Sequence, residues 1–583
     1  MKKLSLIILV LVSLFLGRGL ATPNHFRTHD DLQVFRLNEF ENCLRDLELP
    51  CRWSANMGKG YGYPYFTFYP PVIYLVPAVI RLLTGWSLVF SLNISALISF
   101  PLAALSMYRL IEVMTKKNSL AFLAGILFVL IPYHALNVFV RGVYAENLVW
   151  SLTPLLLAEI YLLLKEKKSP IRLGLLGALV LLTHNVSLIM LFPILSIWSI
   201  ALLISAPHRF RINFFNLAKA IFLSLSLSAF FVFPALLEKN LVYSHSLIEG
   251  YYAYFQHFAS FKQMLFSNVW GFGASAWGVL DELSFSLGKV YWLGATIAGL
   301  ILVVKNRLHF KKLLDPLLLA IGISTLYAFF MAHHTSTPLY ELVKIFQYVQ
   351  FPWRYIGMAS TTLLIFMVYA LHLSKIRYSV LFLLVGVVIA SSLYTPYFKP
   401  KEYDSLTDSD FVSGQYKNNQ QQEHLYDYLP LTVKEVPTSF ADFPVNKLGE
   451  GMEIIDFSRS SNSYSLALTN SHPQNLTLPV FYYPGWHTIV NGMETPTQYD
   501  PISGLITVSV GQGSSKIDLQ FRETPIRTLF NLVTLGALAH LQEGTIKQCQ
   551  SASFRRYRYL CPLLTKRKTL TPLSPPPSSP PKK

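Results

Sequence analysis

The residue types best suited to chemistry lie just beyond a first apolar run, in Thr28-His29-Asp30-Asp31. They precede Leu32, Phe35, Phe40, Leu44 and Leu47, a spacing that predicts an amphipathic helix lying along a membrane surface. Thr28 and Asp31 stand three residues apart, close to a capping-box arrangement, so Asp31 reads first as a helix-start carboxylate. Asp30 is not absorbed by that cap. A carboxylate at a helix N-terminus is held ionised by the dipole, the state a general base needs. Arg141-Gly142-Val143-Tyr144-Ala145-Glu146 places a guanidinium and a carboxylate at the end of an apolar segment. A charge at a bilayer centre costs roughly 2.5–3.5 kcal/mol, so this pair is expected either to act or to be an interfacial ion pair. Residues five apart diverge around an ideal helix, so a direct bond requires a break near Gly142. Thr183-His184-Asn185 puts polar groups at another helix end, where a histidine commonly serves as a hydrogen-bonded structural residue. Gln350-Phe351-Pro352-Trp353-Arg354 offers a guanidinium that can either snorkel or grip a phosphate bidentately. Trp270-Gly271-Phe272-Gly273 and Asp281-Glu282 add aromatic and acidic groups in the loop 267–288.

These groups need elements to hold them. Of 583 residues, 52% are hydrophobic and 14% charged, whereas soluble domains carry about 25% charged residues. Apolar runs recur from Leu4 to Tyr394, and backbone in hydrocarbon must be helical to satisfy its own polar groups. Spanning helices are expected at about 87–114, 119–136, 147–164, 171–184, 186–206, 213–236, 288–304, 314–332, 354–374 and 376–395. Leu4–Leu16 reads as either a retained first helix, the preferred reading, or a cleaved signal. Pro70–Gly85 is short and Pro-broken, and reads as an interfacial helix. The clusters Lys116/Lys117, Lys165/Lys167/Lys168/Arg172, Arg209/Arg211, Lys305/Arg307/Lys311/Lys312 and Lys375/Arg377 then share one side with Lys2/Lys3. That side is the cytoplasm by the positive-inside rule, in the plasma membrane. The same sorting accounts for the net charge of +17, so no nucleic-acid partner is expected. All the candidate groups fall on the opposite, extracytoplasmic side.

Residues 396–525 change character. Apolar and polar residues alternate in Tyr464–Leu468, Leu476–Phe481 and Leu505–Val510, Asn491-Gly492 marks a hairpin, and Gly511-Gln512-Gly513 joins Leu505–Val510 to a further strand at Lys516–Phe521. This predicts an extracytoplasmic antiparallel β-domain of sandwich type, with Ser405–Gln422 a polar linker. A weak last span at 526–541 precedes a basic, Pro/Ser-rich, disordered tail at 542–583. The organisation is thus a membrane domain at 1–395, with its first outer loop at 22–86, followed by the β-domain. Cys43 and Cys51 fall in that loop, where a disulfide and two free thiols both fit.

His29-Asp30, Arg52-Trp53, Gly60-Tyr61-Gly62-Tyr63-Pro64, Phe68-Tyr69-Pro70-Pro71, Arg141-Gly142, Ala145-Glu146, Thr183-His184, Phe285-Ser286-Leu287-Gly288 and Phe351-Pro352-Trp353-Arg354 resemble the GT-C superfamily of membrane glycosyltransferases. Within it the chain is most similar to the "6-pyruvoyl-tetrahydropterin synthase-related" membrane proteins and the YfhO-like proteins, the latter also through Tyr482-Tyr483-Pro484-Gly485-Trp486. The resemblance implies a GT-C-like polytopic α-helical fold of about 11–12 transmembrane helices. It also implies inverting transfer of a sugar from a polyprenyl-phosphate donor to a glycan, lipid or protein acceptor. The catalytic base of the superfamily carries onto Asp30, with Asp31 as fallback. His29, Arg52, Arg141, Glu146, His184 and Arg354 are the candidate substrate-binding residues, Arg141 and Arg354 for the phosphate. Some members use a divalent metal such as Mg or Mn and others none; no tight carboxylate cluster here demands one, so no metal ligand or cofactor is assigned. A transporter for lipid-linked glycans and a non-catalytic envelope assembly protein are the alternatives. Charge-poor mid-span regions weigh against the former.

Overall fold

The computed structural model describes residues 2–275, 282–306, 313–423, 427–445 and 448–550. Asp281, Arg307, Lys311, Lys312 and the tail beyond Gln550 lie outside the described residues.

Apolar runs form helices, as backbone satisfaction in hydrocarbon requires. Among the described residues seven helices are long and apolar enough to cross a membrane, and nine if each of two bent pairs counts as one span. The expected count of 11–12 included shorter pieces. Lys2–Leu16 has 15 residues and Pro170–Leu181 has 12, or ~22 and ~18 Å of helix at 1.5 Å per residue. Pro525–Gln550 runs 26 residues, longer than the weak span expected there, and packs on Phe210–Leu227 and Ala229–Leu237.

Two breaks matter for the site. The run expected as one helix over 119–136 is Asn118–Val129, then Pro132–Ala135 and a π-helical Leu136–Arg141, bent by 44°. Pro132 supplies no backbone N–H and cannot continue the ladder. The next helix begins at Tyr144, not near 147, so Glu146 sits in its first turn. Likewise Pro316–Ala332 turns by 91° into His334–Leu342.

Ion pairs Lys2–Glu112 and Lys116–Glu166 gather charged residues of three segments, two of the residues basic, at one end of the helical body. At the other end lie the first loop and the β-domain. There Gln33–Arg45 packs on Val72–Thr84, itself bounded by Pro71 and Gly85. The segment read as a linker is instead structured. It forms Asp408–Val412 and Gly414–Glu423, Phe411 is buried, and the Asp408 carboxylate accepts from Leu88 N (2.7 Å) and Val89 N (3.2 Å) at the start of Leu88–Thr115. Polar composition concealed a helix cap.

The β-domain is a two-sheet antiparallel sandwich. It comprises β1 Met452–Arg459, β2 Ser463–Asn470, β3 Gln474–Phe481, β4 Trp486–Val490, β5 Met493–Thr495, β6 Gln498–Tyr499, β7 Leu505–Val510 and β8 Gly513–Phe521. The five-stranded sheet has order β1-β2-β8-β4-β5 and the other β3-β7-β6. Asn491 and Gly492 both take positive φ in the β4–β5 hairpin, as a two-residue turn requires. β7 and β8 are consecutive but belong to different sheets, so Gly511-Gln512 crosses between layers. Trp53 from the first loop packs edge-on against Trp486 at 5.2 Å and against Phe521, fastening loop to sandwich.

Candidate functional site

The Cys43–Cys51 disulfide closes part of the first loop, resolving the open thiol question. Upstream, His29 N and Asp30 N donate to Val140 O (3.0 Å) and Arg141 O (2.9 Å). The loop therefore runs like a strand along the broken helix. Gly142 permits this approach: its φ is +69°, and a Cβ there would lie 2.2 Å from Thr28 Oγ1.

The helix after this strand begins at Gln33 with Leu32 at its cap, so Thr28 and Asp31 do not form the expected capping box. Thr28 Oγ1 donates to Asp30 O, and Asp31 accepts from Tyr416. The Asp30 carboxylate receives Arg36 Nη1 at 3.0 Å and Gln33 Nε2 at 2.7 Å, while Tyr74 donates to Gln33 Oε1. Arg36 is buried, with its guanidinium over the Tyr65 and Tyr69 rings.

A second cluster forms where the break brings Arg141 back over Glu146. Arg141 Nη1 and Nη2 donate to the two carboxylate oxygens at 2.9 and 3.0 Å. Arg354 Nε lies 3.2 Å from the same carboxylate, and Tyr133 donates to it. Arg141 also donates to Asn137 Oδ1 and sits over the Trp353 ring, and Arg354 donates to Val349 O. Two guanidiniums and one carboxylate leave a formal charge of +1.

Both clusters open onto one cavity of about 450 Å³, lined by Asp30, Arg36, Arg141, Glu146, His184 and Arg354 among others. The Asp30 side chain is 24% exposed there, against 2% for Glu146. Of these two, Asp30 is thus the carboxylate a solute can reach, whereas Glu146 is saturated by its neighbours; the half-buried Asp427 also lines the cavity. Three helices present their N-terminal residues to the cavity: Asn185 and Val186, Ala145 and Glu146, and Trp353 with Arg354. The positive ends of their dipoles favour an anion. His29 lines the cavity too. Its Nε2 donates to Phe272 O at 3.1 Å, and burial, with Arg141 nearby, pushes its pKa below the usual value. His184 Nδ1 accepts from Ser187 N and so caps the Asn185–Ile204 helix. Aromatic rings of Tyr65, Tyr69, Tyr252 and Tyr428 fill much of the remaining wall.

Two expected site residues lie outside this cavity. Arg52 is buried at 1% exposure, donating to Glu523 Oε1 (3.0 Å) and Asn531 Oδ1 (3.1 Å), and so ties the first loop to the last helix. Asp31 faces Tyr416 instead. The side chain missed is Arg36. Its signal was present, since it falls midway between Leu32 and Phe40 on the apolar face of the predicted helix, where a charge must find a partner.

The cavity residues do not assemble a donor set for a divalent ion. Of the lining carboxylates Asp30, Glu146 and Asp427, the first two each face guanidinium groups, and among the described residues only Cys43, Glu48 and Cys51 bring three potential ligand atoms together. Those two sulfurs are bonded to each other.

The fold is that of a polytopic helical membrane protein carrying a C-terminal β-domain. The family model described as "6-pyruvoyl-tetrahydropterin synthase related domain; membrane protein" matches residues 66–399, more than half of the chain, and the chain belongs to that family. No curated protein sequence matches it. Among solved structures it is similar to the arabinofuranosyltransferase AftD from Mycobacteria (16% identity, TM-score 0.44, covering 72% of this chain and 28% of that one). It is also similar to the Archaeoglobus fulgidus oligosaccharyltransferase in its apo form (12% identity, TM-score 0.43, 76% and 62%). The chain spans less than two thirds of the length of either neighbour.

Proposed function

We propose that the chain is a membrane glycosyltransferase that moves a sugar from a polyprenyl-phosphate donor to an acceptor hydroxyl at the extracytoplasmic face. The observation that carries this reading is one cavity holding a reachable carboxylate, Asp30, and a buried pair of arginines at converging helix N-termini. In the proposed reaction the acceptor oxygen attacks the anomeric carbon from the face opposite the phosphate. The carbon–oxygen bond to phosphate breaks with inversion, and the leaving phosphate keeps the electron pair. Arg141 and Arg354 neutralise its growing charge, an interaction stronger in the transition state than in the bound donor. The acceptor proton passes to Asp30, which Arg36 and Gln33 hold in place. Glu146, saturated by hydrogen bonds, positions the arginines and takes no proton. The Cys43–Cys51 disulfide supports the orientation, because disulfides persist in oxidising compartments and this one lies in the loop that supplies Asp30.

The test is sugar transfer by the purified full chain from a panel of polyprenyl-phosphate sugars, comparing wild type with Asp30→Asn. Loss of a general base costs about 10²–10⁴-fold in turnover. Donor binding is expected to persist in the variant. Undiminished transfer by Asp30→Asn removes Asp30 from the base role, and lipid translocation without transfer favours the transporter reading.

A further inference from the structure

The loop closed by Cys43–Cys51 presents two of the most exposed apolar side chains of the extramembrane region, Leu47 at 81% and Leu49 at 71%. Leu47 also has a φ of 59°. That left-handed conformation suits glycine or asparagine and is uncommon for other residues. A leucine there pays a conformational penalty and gains nothing from the fold, since its side chain is uncovered. Its side chain is therefore free to enter an apolar environment outside the described chain.

The neighbouring surface indicates which one. At the base of the loop, Glu41 receives Arg45 Nε at 2.9 Å from its own helix and pairs with Arg81 Nε at 2.7 Å. Arg81 belongs to Val72–Thr84, and its Nη1 donates to Trp86 O. Leu75, Val79, Leu82, Leu83 and Trp86 on and just after that helix are all exposed, at spacings that form one face, while Tyr74, Pro77 and Ala78 are buried on the other. A helix apolar on both faces, with one turned away from its own protein, is lipid-facing, and a tryptophan at its end suits the headgroup level. On the far side of the loop, Arg52 bonds Asn531 in Pro525–Gln550, whose Leu529, Leu532 and Leu535 are likewise exposed. The residues flanking the leucine tip thus connect, through Glu41 and Arg81 on one side and Arg52 on the other, to helices whose apolar faces turn outward; Arg81 also pairs with Asp408, so the charges at the base of the loop balance, and Asp46 ties the loop to Ser461 of the β1–β2 turn.

We infer that the disulfide-closed loop 43–51 is a membrane anchor, inserting Leu47 and Leu49 into the leaflet beneath the first loop. The occupant is the bilayer itself. The anchor would hold the segment bearing Asp30 against the membrane surface, and it stands whether or not the chain transfers sugar.

The test uses the full chain reconstituted in phosphatidylcholine–phosphatidylglycerol liposomes, with Cys549→Ser and Cys561→Ser. Leu49→Cys and, separately, Leu47→Cys are labelled with an environment-sensitive fluorophore after mass spectrometry verifies the native disulfide. Met493→Cys, at the exposed β4–β5 turn, is the aqueous reference. Insertion predicts a blue-shifted emission at positions 47 and 49, lost on adding doxyl-labelled lipid and resistant to aqueous iodide, with the reverse pattern at 493. Iodide quenching without lipid quenching at 47 and 49 overturns the proposal. So does protection from both quenchers, which would mean that protein covers the tip.

Discussion

Replacing Glu146 with glutamine probes the buried charge cluster most directly. The carboxylate takes two hydrogen bonds from Arg141 (2.9 and 3.0 Å), lies 3.2 Å from Arg354 Nε and accepts from Tyr133, at 2% exposure. Glutamine keeps one acceptor oxygen but turns an NH₂ toward a guanidinium, donor against donor. The formal charge of the trio rises from +1 to +2 at a largely buried site. Removing one partner of a buried ion pair costs about 3–5 kcal/mol. Arg141 retains Asn137 and Arg354 retains Val349 O, so the lower half of that range is expected. At roughly 2 °C per kcal/mol, the value for larger domains, the midpoint of thermal unfolding should fall by about 6–8 °C. The assay is thermal unfolding of the purified protein in detergent, with and without added inorganic phosphate. An anion should restore more stability to Glu146→Gln than to wild type, because it replaces the missing negative charge. An unchanged midpoint, or an equal response to phosphate, would refute the picture of two arginines held by one carboxylate at an anion site.

Gly142→Ala places a methyl 2.2 Å from Thr28 Oγ1 at a left-handed position costing about 1–2 kcal/mol. The Asp30 strand must shift, so transfer activity should drop far more than stability does; wild-type turnover would show that the close approach is dispensable. Glu48, buried beside the disulfide, has its pKa pushed up to about 7 by burial, against hydrogen bonds from Arg52 N and Trp53 N that pull it down. Its contribution to stability is complete below pH ~4.5, the range where the unfolded chain is also protonated, and is lost as pH rises through ~7, for roughly 3 kcal/mol at 1.36 kcal/mol per unit. Glu48→Gln should flatten that stretch of the stability–pH curve and raise the midpoint at pH 8; an identical curve would contradict the burial.

Apolar runs were legible because length and hydropathy decide whether a segment can satisfy its backbone in lipid. The Asn491-Gly492 hairpin was legible because two successive positive φ angles need those residue types. The helix break between Arg141 and Glu146 was visible only as a conditional, that the pair could bond if Gly142 interrupted the helix. Asp408 was invisible as a cap, since its helix starts more than three hundred residues away. Arg52 was misleading for the same reason: its partners Glu523 and Asn531 come from the far end of the chain. Among the cavity residues, Asp30, Arg141, Glu146, His184 and Arg354 were singled out as charged or polar groups at ends of apolar segments, while Arg36 was passed over inside a helix.

Local order was written in the sequence: which long apolar stretches are helices, that strands follow them in the C-terminal part, and which charges sit at segment ends. Each of these depends on neighbours within a few residues, through backbone hydrogen bonding, turn geometry and hydropathy. Which charges neutralise one another, and which carboxylate is left open to a ligand, depended on packing. Asp30 and Arg36 meet Arg141, Glu146 and Arg354 only after the first loop pairs with the broken helix at Gly142. Electrostatic strength falls with distance and rises with burial, and both quantities exist only once segments far apart in the chain are brought together.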